Sequence, residues 1–187
     1  MPYTFERRSV MVFGLLAVAL IVSNVYAVHQ SRSARQQYDQ LRASTFAVAE
    51  GAVVPPLNGV RAGGTSEIEV NYASKHATLL LVFGPKCPYS NRNWPQWQHI
   101  LERIDRDKVQ VAFVNAAVLD PVDMNFSLSH ALGDEVVLSA VDSADRVAYR
   151  ISLTPQTLVI DPTGKIKYVR TGMLDDSTVE EIVRLVS

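Results

Sequence analysis

The sequence predicts an α/β domain that follows one apolar N-terminal helix. An apolar run, a stretch with helical spacing and a second apolar run follow one another over residues 77–114, which is the order of a strand–helix–strand unit. A β-hairpin pattern occupies 157–170. An uncharged apolar segment over 10–28 has the length of a transmembrane helix. Together these observations predict a single globular domain behind a membrane anchor.

The composition fits one folded domain with an appendage. The 187 residues are 48% hydrophobic and 20% charged, which is ordinary globular usage and excludes a disordered or low-complexity chain. The 18 basic and 19 acidic residues give a net charge of −1, so no basic surface points to nucleic acid as a partner. The single cysteine excludes a disulfide within one chain and a Cys-rich zinc site. The four histidines lack metal-ligand spacing, and we predict no metal and no cofactor.

The apolar segment predicts how the chain is anchored. As a helix, 10–28 would be about 28 Å long, close to the thickness of the hydrocarbon core of a bilayer. Arg7 and Arg8 precede it, and the positive-inside rule keeps such a short flank in the cytoplasm. We therefore predict a cytoplasmic tail over 1–8 and a single transmembrane anchor over 9–28 that contacts the lipid bilayer. The rest of the chain is then expected on the extracytoplasmic, periplasmic side of the cell (inner) membrane.

Two further segments complete the predicted organisation. Residues 29–50 contain neither Pro nor Gly and are interpreted as a polar stalk. The sequence Gly-Ala-Val-Val-Pro-Pro-Leu over 51–57 breaks any helix, so the globular domain is expected over 51–187. The alternative for the N-terminus is a cleaved signal peptide, because Val-Tyr-Ala over 25–27 offers small residues at plausible recognition positions.

The first half of the domain has the clearest periodicity. Residues 67–72 alternate polar and apolar side chains, as in a half-buried strand, and 77–83 are continuously apolar, as in a central one. Helical spacing follows over 88–104, with Pro95 expected to kink the helix. A second central strand is predicted over 108–114. A right-handed crossover would make these two central strands parallel.

The second half of the domain shows weaker signals. The predicted elements are a helix late in 120–133, an apolar run over 136–141, a short helix over 145–151, hairpin strands over 157–161 and 165–170, and an amphipathic helix over 177–186. The terminal helix has Ser177 as a plausible cap and Glu180 in position for a capping box.

Cys87 is the residue with the most evident chemistry. It follows the predicted central strand directly and lies at the first turn of the next helix, with Pro88 suited to the helix start. Free amides and the helix dipole favour thiolate over thiol there, and the adjacent Lys86 is expected to add to this effect. The Ser90 hydroxyl lies in the same turn and can donate to the sulfur, but it cannot form a disulfide. The alternative is an inert cysteine packed as a small apolar side chain.

A second candidate element is Thr154-Pro155, immediately before a predicted strand. A Thr-Pro peptide bond can be cis and can leave backbone groups free to pair with an extended peptide. Alternatively, Pro155 simply begins an edge strand.

Two separated motifs resemble the thioredoxin-like superfamily, in particular its membrane-anchored extracytoplasmic TlpA, ResA and MauD branch. LLLVFGPKCPYSNRNWPQWQHI is similar to the family's strand, active-site Cys-x-x-Cys and first helix, with Pro95 at the position of the kink proline. SLTPQTLVIDPTGKIKYVRTG is similar to its cis-proline strand and Gly-Lys hairpin. The resemblance covers roughly 51–187. It implies a thioredoxin-like fold with a central mixed β-sheet flanked by helices, and a cis-proline loop beside the cysteine.

The sequence departs from this family in three places. Ser90 occupies the position of the resolving cysteine, Lys86 replaces the usual tryptophan, and no carboxylate lies in the apolar strand 79–83. In the dithiol cycle the second thiol releases the mixed disulfide, and here no internal group can do so. Cys-Pro-Tyr-Ser also resembles glutaredoxin active sites, which can work with one cysteine through glutathione.

The resulting hypothesis is monothiol thiol-disulfide exchange by an extracytoplasmic domain. Cys87 is the expected nucleophile and Ser90 the hydrogen-bond donor, while the remaining site residues are expected to position the partner: Lys86, Tyr89, Thr154 and Pro155. The product would be a mixed disulfide with a client protein or a small thiol, and an external thiol reductant would resolve it.

Two alternative functions follow from the same residues. A binding or assembly module would keep the fold without turnover, since the resolving cysteine is missing. A peroxiredoxin-like thiol peroxidase needs only one cysteine, but its motif has Thr or Ser three residues earlier, where this chain has Gly84. We rank the peroxidase lower for that reason.

Overall fold

A computed structural model describes residues 18, 20–32, 48–117, 120, 122, 124–132 and 135–187. The chain divides into two units, 1–42 and 43–187. In the first unit, 20–32 form a helix with exposed apolar side chains. Within the described ranges, no helix combines the length and the apolar character that a membrane span requires. The predicted tail, half of the predicted anchor and most of the predicted stalk lie outside the described residues, so these assignments stay predictions.

The second unit is built on one mixed sheet. The strands found in its described part are β1 (Leu57–Arg61), β2 (Glu67–Val70), β3 (Ala77–Phe83), β4 (Val109–Asn115), β5 (Val136–Val141), β6 (Gln156–Ile160) and β7 (Ile166–Thr171). Their spatial order is β2-β1-β5-β4-β3-β6-β7. β3, β4 and β5 run parallel, and the strands outside them are antiparallel to their neighbours. The sheet is therefore mixed, as the family resemblance implies.

Helices cover the sheet. They are α1 (Pro88–Arg103), α2 (Met124–Ser129), α3 (Ser143–Ala148) and α4 (Asp176–Val186), with a 3-10 turn at Tyr72–Ser74. The crossover from β3 through α1 to a parallel β4 is confirmed, and so is the antiparallel β6–β7 hairpin. β1 was not predicted. The helix expected in 120–133 is limited to α2.

The core has two layers because successive side chains of a strand point to opposite faces. All seven residues of β3 are buried. Leu79, Leu81 and Phe83 pack with side chains of α1 and α4, whereas Leu80 and Val82 belong to the core on the other face. A continuously apolar strand is thus explained by burial on both sides, and it fixes the point where α1 begins.

The chain joins the sheet at the β6–β7 turn. The Gly51 amide donates to the Ile166 carbonyl at 2.8 Å, and the Val54 amide donates to the Gly164 carbonyl at 2.9 Å. Gly164 has φ +82°, and a Cβ there would lie 2.6 Å from the Val54 carbonyl oxygen, so both the turn and the close approach require glycine. This turn follows Ile160, which pairs with Thr78 near the start of β3. The attachment therefore lies at the end of the sheet opposite the β3–α1 junction.

Candidate active site

Cys87 lies where β3 passes into α1. The chain turns at Gly84, whose carbonyl accepts the Cys87 amide at 2.9 Å, and the helix begins with Pro88. Cys87 is the residue that caps the helix, with its side chain half-buried. Its thiol donates to the Thr154 carbonyl at 3.5 Å. The sulfur is therefore both reachable and held against a second loop.

Gly84 allows these groups to approach one another. A Cβ at this position would lie 3.1 Å from Cys87 Cβ and 3.2 Å from Thr154 Oγ1, closer than ordinary van der Waals contact. The Thr or Ser of a peroxidase motif would have to fit into the same space. The geometry thus gives a physical reason for the low rank of the peroxidase alternative.

Ser90 is fully buried behind the sulfur. Its Oγ accepts a hydrogen bond from the Gly84 amide at 3.1 Å, and its hydroxyl also stabilises the thiolate of Cys87. The hydroxyl links the turn before the cysteine to the first turn of α1. Its position agrees with the predicted role as a donor to sulfur, and the bond to Gly84 was not foreseen.

The surroundings of Cys87 favour its anion. Burial by itself raises the pKa of the thiol, but the Thr154 side chain, the amide and hydroxyl of Ser90 and the Tyr89 amide act in the opposite direction. These interactions outweigh burial and hold the pKa of Cys87 below its usual value. More thiolate is therefore present near neutral pH than on an ordinary cysteine.

Lys86 does not take the electrostatic role expected for it. Its side chain is 79% exposed, and its ammonium group forms an ion pair with Asp120. The Asp120 carbonyl in turn accepts a hydrogen bond from the buried Asn115 side chain at 2.7 Å. The groups that lower the pKa of Cys87 are hydrogen-bond donors, and Lys86 is not among them. The expectation that Lys86 stabilises the thiolate is corrected because a carboxylate pairs with it.

The Thr154–Pro155 peptide bond is cis, as the family resemblance implies. Pro155 is buried, and its carbonyl accepts the Gly172 amide at 2.8 Å. The loop therefore contacts Cys87 through Thr154 and the segment after β7 through Pro155. Tyr89 is 58% exposed beside the sulfur, where a partner can reach it.

Sequence reasoning missed two residues whose places depend on the segment between β7 and α4. Met173 follows Gly172 and is 45% exposed. Asn93 is fully buried on α1, and its Oδ1 accepts the Leu174 amide at 2.8 Å. The surroundings of both residues depend on where the segment between β7 and α4 lies. Leu174 in that segment is 81 positions after Asn93 in the chain. Nothing in the local pattern could have indicated the contact.

We expect Thr154→Val to raise the pKa of Cys87, because it removes a hydroxyl that favours the thiolate while keeping the side-chain shape. Below the pKa, each unit of increase lowers the thiolate fraction tenfold, so alkylation at pH 6 should slow by roughly threefold to tenfold. The rates of the two proteins should converge above about pH 9. Iodoacetamide rates across pH measure this.

Lys86→Met is the matched control, since it removes a neighbouring charge that is paired with Asp120. It should leave the alkylation profile nearly unchanged. A larger shift for Lys86→Met than for Thr154→Val would contradict this account of the site.

No protein-family model matches the sequence. Among curated proteins, the chain is similar to the thiol-disulfide oxidoreductase ResA of Bacillus subtilis, with 25% identity over 186 residues, or 97% of this chain and 94% of that protein. ResA of Halalkalibacterium halodurans is 26% identical over 123 residues, or 64% of this chain and 67% of that protein.

A solved thioredoxin domain also matches the fold of this chain. The thioredoxin domain of a thiol-disulfide oxidoreductase from Bacteroides vulgatus matches with a TM-score of 0.58 and 16% identity, over 75% of this chain and 99% of that one. The match supports the thioredoxin-like fold of the domain. These comparisons support the family resemblance predicted from the sequence: the domain has the thioredoxin-like fold, and the chain is similar to thiol-disulfide oxidoreductases.

Proposed function

We propose that this protein performs thiol-disulfide exchange through a single nucleophilic cysteine, Cys87. The observation that carries the proposal is a half-buried thiol at a helix start, in contact with the Thr154–Pro155 loop and with its pKa lowered. Similarity to proteins named thiol-disulfide oxidoreductases supports the same chemistry. An inert structural cysteine would have no need for these donors.

The reaction has two separate steps. In the first, the thiolate of Cys87 attacks one sulfur of a partner disulfide, a new S–S bond forms, and the other partner sulfur leaves as a thiolate that takes up a proton. In the second, an external thiolate attacks the partner's sulfur in the mixed disulfide, forms a new S–S bond with it, and releases Cys87 as a thiolate. The Ser90 hydroxyl cannot replace that thiol, because oxygen forms no disulfide. The mixed disulfide therefore persists until a reductant arrives.

The partner is a client protein or a small thiol. The exposed ring of Tyr89 and the exposed Lys86 lie beside the sulfur, and Thr154 and Pro155 form the opposite side of the site. We assign these four residues to positioning the partner.

The proposed location is the extracytoplasmic side of the cell membrane. The uncharged segment 10–28 supports an anchor over 9–28, preceded by the two arginines of a cytoplasmic tail. Disulfides of partner proteins are stable in such an oxidising compartment. In this arrangement the domain meets its partners outside the cytoplasm while it stays attached to the bilayer.

A second candidate is a binding module without turnover, favoured by the fully buried Ser90 at the position of a resolving thiol. Cys87→Ala separates the two functions. An exchanger should lose its covalent adducts and its alkylation completely, because no other thiol exists in the chain. Non-reducing electrophoresis of native membranes, followed by mass spectrometry of the adducts, measures this.

Cys87→Ser serves as a matched variant, since it keeps a small polar side chain at the helix start. Unchanged partner capture by both variants under non-reducing conditions would favour the binding module and contradict the exchange proposal.

A further inference from the structure

Asn93 is a buried amide whose polar groups are only partly satisfied. It lies on α1, six positions after Cys87, and it has no exposed surface. Its Oδ1 accepts the Leu174 amide at 2.8 Å, whereas its Nδ2 has no hydrogen-bond partner in the described part of the chain. A buried amide left partly unpaired is unfavourable for stability. A purely structural role therefore explains this residue poorly.

The bond from Asn93 reaches the segment that also supports the cis-proline loop. Leu174 is two residues after Gly172, and the Gly172 amide donates to the Pro155 carbonyl at 2.8 Å. Residues 172–174 thus connect α1 to Pro155 through two short hydrogen bonds. Pro155 is joined directly to Thr154, which contacts the sulfur.

These contacts form a closed ring. It passes from Cys87 to Thr154 and Pro155, along 172–174 to Asn93, and back along α1 to Cys87. A helix is stiff over six residues, so the Asn93 bond fixes the distance between the helix start and the 172–174 segment. The position of the sulfur relative to Thr154 depends on that distance.

Two other contacts hold α1 on the domain by routes that bypass residues 172–174, and one of them ends on Thr157, two positions after Pro155. Trp97 Nε1 donates to Thr157 Oγ1 at 2.9 Å on β6, and Arg103 pairs with Glu180 on α4 at 2.5 Å. Both lie further along α1 from Cys87 than Asn93 does. They hold the helix on the domain without reaching residues 172–174.

We propose that Asn93 is a positioning residue that, through Leu174 and residues 172–174, holds the Thr154–Pro155 loop in contact with the Cys87 sulfur. This inference rests on the proposed function, because it concerns the reactivity of the same thiol. The inference gives a role to Asn93, a residue that does not touch the partner. The inference is tested by measuring the ionisation of Cys87, which requires no partner.

The first test is Asn93→Leu, which keeps a similar volume and removes the bond to Leu174. The thiolate absorbance at 240 nm, titrated against pH, should show a raised pKa for Cys87, and alkylation at pH 6 should slow about threefold or more. Thr157→Val is the matched control. It removes the buried hydrogen bond between α1 and β6, and the titration curve should stay unchanged.

The second test changes Gly172, the residue of the 172–174 segment that is bonded to Pro155. Gly172 has φ +105°, which disfavours alanine, yet nothing lies within 4 Å of an added Cβ. Gly172→Ala therefore changes the backbone without a clash, and it should reproduce the shift of Asn93→Leu even where that variant fails to fold. In the double variant the two shifts should not add, because both act through 172–174.

The outcomes separate this inference from the proposed function. An ordinary cysteine pKa in the unmodified protein contradicts the proposed function, and the inference with it. If the pKa of Cys87 is low in the unmodified protein and stays unchanged in both Asn93→Leu and Gly172→Ala, the inference alone is overturned. An equal shift in Thr157→Val also overturns it, because it would mean that any loosening of α1 has the same effect.

Discussion

Under the proposed monothiol exchange, Ser90→Cys should give the protein catalytic turnover, because it supplies the resolving thiol. The Ser90 side chain lies directly behind the Cys87 sulfur and favours its thiolate, so a thiol in its place is positioned to attack the mixed disulfide. An intramolecular thiol reacts far faster than millimolar external thiol, and we expect disulfide reduction to rise by at least about tenfold. Reduction of insulin by dithiothreitol, with and without the protein, measures the gain.

The matched control is Ser90→Ala, which removes the hydroxyl and adds no thiol. It should keep the mixed disulfide stable while it raises the pKa of Cys87, since one donor to the thiolate is lost. The account is wrong if oxidised Ser90→Cys still shows two free thiols by titration and accumulates adducts as the unmodified protein does.

Trp97→Ala should lower the free energy of unfolding by about 3–5 kcal/mol. The indole is fully buried between α1 and the sheet, lies edge-on to Trp94 with ring centroids 5.1 Å apart, and donates to Thr157 at 2.9 Å. Natural domains are stable by only about 5–15 kcal/mol, so a large fraction of the stability would be lost. Urea unfolding followed by circular dichroism gives the change directly.

Trp97→Phe separates packing from hydrogen bonding. It keeps an aromatic ring in the core and loses the Nε1–H donor, so its cost should be roughly 1–3 kcal/mol. Equal destabilisation by the two substitutions would show that the bond to Thr157, and not the volume of the ring, carries the stability.

Local pattern was enough to predict the centre of the fold. The apolar run over 77–83, in which Thr78 is the one polar residue, is β3, as expected for a central strand that is buried on both faces. Pro88 begins α1, as its missing donor predicts, and the helix continues through Pro95 to Arg103. The two residues that define the site, Cys87 and Pro155, are also placed by motifs that can be read along the chain.

What the sequence could not predict depends on contacts between distant residues. β1 has no alternation around Asn58 and Gly59, and its place is set by the Asn58 amide bond to Asp145 at 2.6 Å and by the backbone of β5. At Gly59 an added Cβ would lie 2.3 Å from the Ala140 carbonyl oxygen. Only glycine permits that approach, yet its sequence neighbours give no sign of it.

At the site, the role of Lys86 also depends on a residue that is distant in the sequence. A cation beside a cysteine is expected to stabilise its thiolate, and from the neighbouring residues that is a sound expectation. Asp120 comes 34 positions later and pairs with the lysine instead. The direction of the Cys87 pKa shift agreed with the prediction, but hydrogen bonds rather than this charge account for it.

The point at which the chain joins the sheet is far from the reactive sulfur. The attachment through Gly51 and Val54 is beside the β6–β7 turn, and Cys87 is beyond the other end of β3. The seven residues of that strand span about 20 Å. The thiol of Cys87 and the segment that attaches the chain to the sheet therefore lie at opposite ends of the domain.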